Sequence, residues 1–262
     1  MEKDNDMYRS FAGVYDQLMA DVPYDEWSRR LDDWIGQYGI SQKGRSSEAD
    51  LVVDLGCGTG TLTGLLARMG YECIGIDNSQ EMLTVARKKV VDAPPPILYL
   101  CQDMREMELY GTVGTVVSVC DCLNYLLTEE DLLAVFSRVN NYLYPGGIFI
   151  FDFNTIYKYE TVIGDTTIAE NREECSFIWE NYYHDEEGIN EYDVSFFVRE
   201  QDGRYRRFQE NHYQKGYSLE TVRGLLERAG MRFIAAFDGE SGGAVSDESE
   251  RIYVIAGEAG KQ

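Results

Sequence analysis

The stretch from Leu51 to Gly60, reading Leu-Val-Val-Asp-Leu-Gly-Cys-Gly-Thr-Gly, restricts the fold of this chain more than any other. An apolar run that ends in glycine at every second position reads as a buried parallel strand entering a tight turn. Thr61 to Met69 then carries apolar residues at helical spacing. Without a Cβ, Gly56, Gly58 and Gly60 let the backbone reach positive φ and lie directly against a ligand. The loop N–H groups and the helix N-terminus then face that ligand. The dinucleotide spacing Gly-x-Gly-x-x-Gly would need glycine at position 61, which is Thr61, so a nicotinamide dinucleotide is disfavoured. Strand, glycine loop and helix together make a cofactor cradle.

A second apolar strand, Cys73 to Ile76, ends in Asp77. An acidic residue at that strand tip is placed to accept hydrogen bonds from both hydroxyls of a ribose, so the ligand carries a nucleoside. With Asp54 two residues ahead of Gly56, the alternating glycines, and Gly-Ile-Asp-Asn-Ser around Asp77, the chain resembles the first two motifs of the class I S-adenosylmethionine-dependent methyltransferases. The resemblance implies S-adenosylmethionine as cofactor, held by Asp54, Gly56, Cys57, Gly58, Gly60, Asp77 and Asn78. It also implies that Asp103 receives the adenine amino group and the backbone N–H of Met104 reaches the ring; a solvated loop aspartate is the alternative for Asp103. It further implies that a segment like Tyr8 to Asp16 folds over the cofactor as a lid. Tyr8 is then a candidate cofactor contact and Tyr15 a candidate catalytic residue, with core packing the alternative for both.

The 262 residues, 44% apolar and 27% charged, suffice for one sizeable core or a core with a small subdomain. A net charge of −22 repels phosphate backbones, so a nucleic-acid substrate is disfavoured. The six cysteines form no Cys-x-x-Cys pair and the only histidines are His184 and His212, so no metal site is expected. Cysteines within apolar runs fit a reducing compartment, and no apolar run approaches the roughly 18 residues of a membrane span. The expected location is cytoplasmic, with no membrane contact.

In chain order, helices are expected over Met7 to Met19 and Tyr24 to Tyr38, with Gln42 to Asp50 a polar linker. Ser79, Thr128 and Ser218 are expected helix N-caps. Val113 to Val119 forms the fourth strand and Cys120 to Tyr125 leaves its carboxyl end, where ligands bind in doubly wound sheets. Asp121 is thus a candidate for the methionine part of the cofactor and Asn124 for the substrate. Asn154, at the tip of the fifth strand Ile148 to Phe153, is a further substrate candidate. Between Thr155 and Gln214 the pattern turns to strand alternation with a hairpin at Asp202-Gly203, which implies an inserted antiparallel sheet of three or more strands. Arg199, Arg204, Arg206 and Arg207 concentrate positive charge there, and Arg207 is a candidate for an anionic substrate group, with hairpin-tip solvation the alternative. His212 shares a strand face with Glu210 and is the candidate catalytic base, with a structural role the alternative.

The expected fold is α/β: a Rossmann-like, doubly wound, seven-stranded sheet with an antiparallel last strand, an N-terminal helical lid and an inserted antiparallel β cap. The expected segments are 1–44 (lid), 45–154 (cofactor-binding core), 155–215 (substrate cap) and 216–262 (end of the core). The implied activity is methyl transfer from S-adenosylmethionine to a small-molecule acceptor in one in-line displacement. The alternatives are a non-catalytic binder of the cofactor or its product, and an RNA methyltransferase, which the net charge disfavours. The residues leave open which acceptor is used, which atom is methylated and the oligomeric state.

Overall fold

The computed structural model describes residues 12, 15–90, 96–200 and 202–261. Most of the helix expected over Met7 to Met19, and Tyr8 with it, lies outside the described residues. The chain begins with α1 (Tyr15–Leu18) and α2 (Tyr24–Tyr38), followed by β1 (Val52–Leu55), α3 (Thr61–Arg68), β2 (Cys73–Asp77), α4 (Gln80–Val90) and β3 (Leu98–Cys101). It continues with β4 (Val113–Ser118), α5 (Glu129–Tyr142) and β5 (Leu143–Asn154). A four-stranded insert follows, β6 (Thr167–Asn171), β7 (Cys175–His184), β8 (Ile189–Arg199) and β9 (Tyr205–Lys215). The chain ends with α6 (Leu219–Arg228), β10 (Met231–Asp238) and β11 (Arg251–Glu258).

Seven strands form one sheet in the order β10-β11-β5-β4-β1-β2-β3. β1 pairs in parallel with β2 and β4, β2 with β3, and β4 with β5, whereas β11 runs antiparallel to both β5 and β10. β1 and β4 are buried on both faces. Val53, Leu55, Val116, Phe149 and Phe151 pack with Phe136 of α5 and Leu226 of α6, while Val52, Val117, Ile148 and Ile150 pack with Leu31 and Ile35 of α2 and Leu66 of α3. Each such fully buried side chain contributes about 1.5–3 kcal/mol. The three expected caps are present: Ser79, Thr128 and Ser218 accept from the backbone N–H of Met82, Asp131 and Thr221 at 3.2, 3.1 and 3.0 Å.

Two expectations need correcting. Because α2 buries Leu31, Trp34 and Ile35 against the sheet, this part of the expected lid belongs to the core. The fifth strand also starts earlier than the expected Ile148, at Leu143, with Pro145-Gly146-Gly147 inside it.

The insert is a separate antiparallel sheet in the order β6-β7-β8-β9. Strand alternation sets its two faces. Tyr192, Val194 and Phe196 of β8 and Glu210, His212 and Gln214 of β9 are buried, while the intervening Arg207, Gln209 and Tyr213 are exposed. At the β8–β9 hairpin Gly203 takes φ +82° and the Asp202 carboxylate accepts from the Arg204 N–H at 3.0 Å. The buried face closes over the carboxyl ends of β4 and β5.

Candidate active site

The three loop glycines all have positive φ, +81°, +54° and +72° at Gly56, Gly58 and Gly60, but for different reasons. A Cβ on Gly56 would lie 2.7 Å from Cys122 Sγ, and one on Gly60 2.3 Å from the Tyr99 hydroxyl oxygen. A Cβ on Gly58 would meet nothing within 4 Å. The outer two glycines therefore allow tight packing, and Gly58 borders open space into which a ligand fits. The Gly56 and Cys57 N–H groups donate to the Ile76 carbonyl at 2.8 and 2.9 Å, which ties the loop to the tip of β2.

Asp77 sits at that tip. Its Oδ2 accepts from the Gly58 N–H and its Oδ1 from the Ser79 N–H, both at 2.8 Å. Each oxygen keeps a lone pair, so the carboxylate is held in the mouth of the loop with capacity for a diol. Burial raises its pKa, and the N–H groups of Ser79, Gly58 and Asn78 oppose that rise. Asn78 follows as an exposed residue, its carbonyl 3.6 Å from Cys101 Sγ. A nucleoside cofactor fits this arrangement.

Other expected contacts serve the loop from behind. Asp54 is buried and accepts from Thr63 Oγ1 at 2.5 Å, so its side chain braces β1 against α3 instead of reaching the ligand. Burial lifts its pKa to about 6 despite that bond. The Cys57 side chain packs with Leu83, Ala86 and Tyr99, which leaves only its backbone at the cradle. Asp103 accepts from the Arg105 N–H at 2.8 Å and forms an ion pair with the same guanidinium at 2.6 Å, which holds its carboxyl below the ordinary value. Its side chain thus caps the short turn Met104–Glu106. The Met104 methyl lies beside Gly56, 3.6 Å from the position of a Cβ there.

Past β4, Cys120 and Asp121 both adopt left-handed backbone, at φ +70° and +53°, which strain is held by the buried Asp152 carboxylate. Asp152 accepts from the N–H groups of Cys120 and Asp121 at 3.1 and 2.9 Å. Arg251, the first residue of β11, donates to Asp152 at 2.6 Å and to Asp121 Oδ1 at 2.7 Å. Asp121 Oδ2 accepts from Gln214 Nε2 at 2.9 Å, and Gln214 Oε1 accepts from the Tyr159 and Tyr192 hydroxyls at 2.7 and 2.8 Å. Burial pushes the Asp121 pKa up, but Arg251 and then Lys158 outweigh it, so the carboxyl stays ionised below its ordinary range. Asp121 is thereby a fixed negative charge where core and insert meet. Arg251, Asp152, Gln214 and Tyr159 were not found from the sequence; a single acidic residue inside the apolar run of β5 was the available signal for Asp152.

His212 lies on the buried face of β9, its Nδ1 3.2 Å from the Tyr125 hydroxyl. Burial drops its pKa to about 4, with Asp121 opposing, so the ring is neutral near pH 7. Asn154 is buried at the same end, its Nδ2 donating to the Tyr159 hydroxyl at 2.9 Å. Asn124 does not serve as a substrate contact: it is wholly buried and pins backbone, donating to the Asn154 and Lys215 carbonyls at 2.9 and 2.7 Å and accepting from the Asn154 N–H at 2.8 Å. Arg207 is also corrected. It stands on the outward face of β9, hydrogen-bonded to Ser195 Oγ at 2.9 Å, and points away from the cleft.

The segment around α1 closes the remaining side. Ala12, Tyr15 and Leu18 pack with Met82, Tyr159 and Tyr192, so Tyr15 lies within an apolar cluster between core and insert. Asp16 accepts from Thr59 Oγ1 of the glycine loop at 2.6 Å and pairs with Lys89 at 2.6 Å. From the insert, Arg172 donates to the Gln17 carbonyl at 3.1 Å and pairs with Asp21 at 2.7 Å. Among the described residues no cluster suits a metal ion, and no helix is long and apolar enough to cross a membrane.

A family profile described as a methyltransferase domain matches residues 52–147, which span the cradle, Asp77 and Asp121. The chain is 38% identical to the putative methyltransferase YqeM of Bacillus subtilis over 251 residues, 95% of this chain and 96% of that protein. It is 35% identical over 109 residues to the dTDP-3-amino-3,4,6-trideoxy-alpha-D-glucopyranose N,N-dimethyltransferase of Streptomyces venezuelae, 41% of this chain and 44% of that one. Among solved structures, an S-adenosylmethionine-dependent methyltransferase from Clostridium acetobutylicum superposes with a TM-score of 0.84 at 30% identity, covering 97% of this chain and 99% of its own. Likeness along the whole chain places this protein in the class I S-adenosylmethionine-dependent methyltransferase family.

Proposed function

We propose that the enzyme methylates a small molecule, admitted between the segment around α1 and the buried face of the inserted sheet. The observation that carries this reading is the roof over β4 and β5, where Tyr192, His212 and Gln214 of the insert meet Asp121 and Tyr159. Such a site suits a compact acceptor, and the net charge of −22 opposes a polyanionic one. The Streptomyces venezuelae relative, by name a dimethyltransferase of an aminodeoxysugar nucleotide, supports the same direction.

S-adenosylmethionine supplies a methyl group on a positively charged sulfur. In this proposal Asp77 and the loop around Gly58 bind its nucleoside, and Asp121, fixed by Arg251 and Gln214, holds a positively charged ammonium at the other end of the cleft. The segment around α1 and the inserted sheet exclude water and orient the acceptor. Orientation of this kind lowers a barrier by roughly 7–11 kcal/mol. His212 is neutral near pH 7, and with a pKa of about 4 it is too weak a base to deprotonate an ammonium, so its role is to orient an acceptor that arrives as a neutral amine or hydroxyl.

The test is transfer of a labelled methyl from the cofactor into a cell extract, followed by separation of small molecules from protein and RNA. Label in the small-molecule fraction is expected. Label confined to RNA or protein overturns the proposal.

A further inference from the structure

Arg199, Arg204, Arg206 and Arg207 of the insert are exposed, but Arg251 is not the sole cation beside Asp121. Lys158 follows the tip of β5, at the start of a single π-helical turn, Lys158–Ile163. Such turns are frequent at functional sites. The lysine is half-buried, and its Nζ has one hydrogen-bond partner, the neutral Oδ1 of Asn154 at 3.1 Å. That carbonyl is aimed at the lysine because the amide nitrogen of Asn154 is committed to the Tyr159 hydroxyl.

No carboxylate among the described residues lies within 4.0 Å of Lys158 Nζ, although four charged groups face it: Arg251, Asp121, Glu250 and Asp152. Of these carboxylates Asp121 is engaged by Arg251 and Gln214 and Asp152 by Arg251 and two backbone N–H groups, while Glu250 faces the lysine without forming an ion pair to it within 4.0 Å. Lys158 therefore carries a charge beside another cation, with two N–H donors unspent. Burial, and after it Arg251, push its pKa below the ordinary lysine value. A half-buried ammonium with a perturbed pKa and open donors is a candidate functional group.

We propose that Lys158 is the receptor for an anionic group, carboxylate or phosphate, on the methyl acceptor, with Asn154 and Tyr159 setting the direction of its ammonium. The group binds by a charge-assisted hydrogen bond to Nζ and fills the donors that Asn154 leaves open. The inference rests on the small-molecule reading only for the identity of the ligand, since anion binding at Lys158 is measurable without methyl transfer.

The experiment is reductive methylation of the full chain with formaldehyde, saturated with S-adenosylhomocysteine, read lysine by lysine by mass spectrometry. Inorganic phosphate and acetate are the probes, against chloride at equal ionic strength. Phosphate or acetate should slow labelling of Lys158 about fivefold at about four times its dissociation constant, and leave Lys88 and Lys215 unchanged. The stronger of the two probes identifies the anion class. Uniform slowing of all lysines, or no slowing, overturns the proposal. A second arm compares S-adenosylhomocysteine with methylthioadenosine, which lacks the amino-acid tail. If the former alone already protects Lys158, and Lys158→Gln weakens its binding more than tenfold, the anion is the cofactor's own carboxylate and the acceptor assignment falls. Unchanged affinity of Lys158→Gln for S-adenosylhomocysteine, with loss of the phosphate or acetate effect, supports it. Failure of the wild type to bind S-adenosylhomocysteine would count instead against the cofactor assignment.

Discussion

Acidification sets two buried groups of the site against each other, and the difference between variants separates them. His212 has a folded pKa of about 4 against an ordinary 6.5, so it favours folding while neutral; that contribution is full above 6.5 and is lost as the pH falls towards 4. Between pH 7 and pH 4.5 the loss works out at about 2–3 kcal/mol. Asp54 has the opposite sign. Its folded pKa of about 6 lies above the ordinary 3.8, so its contribution is present below 3.8 and is lost as the pH rises through 6. Over the same window acidification gains about 2 kcal/mol from Asp54, and the wild-type profile is nearly flat in these two groups. His212→Gln removes one side of the balance. Its stability relative to wild type, from urea unfolding at each pH, should rise by about 2–3 kcal/mol between pH 7 and pH 4.5, whatever the substitution costs at neutrality. The chain has only two histidines, so the imidazole signals in a parallel NMR titration are assignable from the variant. A pH-independent stability difference, or a His212 signal that titrates near 6.5, would refute the claim that the ring is buried and neutral.

Gly58→Ala places a methyl in open space at φ +54°; it should cost about 1–2 kcal/mol of stability from backbone strain and should weaken cofactor affinity in a calorimetric titration. Gly56→Ala should be worse for folding, by about 1–3 kcal/mol more, because its Cβ would lie 2.7 Å from Cys122 Sγ. Arg251→Met leaves Asp121 and Asp152 buried without their cation and should cost about 3–5 kcal/mol in chemical denaturation. Arg207→Ala, on the outward face of the insert, should change stability by less than about 0.5 kcal/mol and leave turnover unaltered.

What could be read beforehand was local. The strand, glycine loop and helix at residues 51–69, the acidic tip at Asp77 and the N-caps at Ser79, Thr128 and Ser218 depend on residues a few positions apart, and their chemistry is visible in that span. The Asp202-Gly203 hairpin is of the same kind. Strand parity was legible too: Arg207 and His212 are an odd number of residues apart on one strand, so they could not both face the cleft. The interior of the site was not legible because its contacts join distant segments. Arg251 meets Asp152 and Asp121 across separations of 99 and 130 residues, and Gln214 meets Asp121 across 93. Asn124 looked like a ligand contact from its place after β4, but the loop turns its amide inward to hold the backbone of Asn154 and Lys215. Lys158 gave no signal at all, since its isolation from carboxylates exists only in three dimensions.

The central claim, a cradle in which Asp77 and the glycine loop hold the nucleoside of S-adenosylmethionine, is tested most directly by calorimetric titration of S-adenosylhomocysteine into wild type and Asp77→Ala. The account predicts micromolar binding to wild type and a loss of about 1.5–3 kcal/mol in the variant, the usual size for hydrogen bonds to a charged group. Equal affinity in the two proteins, or no binding to wild type, would contradict it.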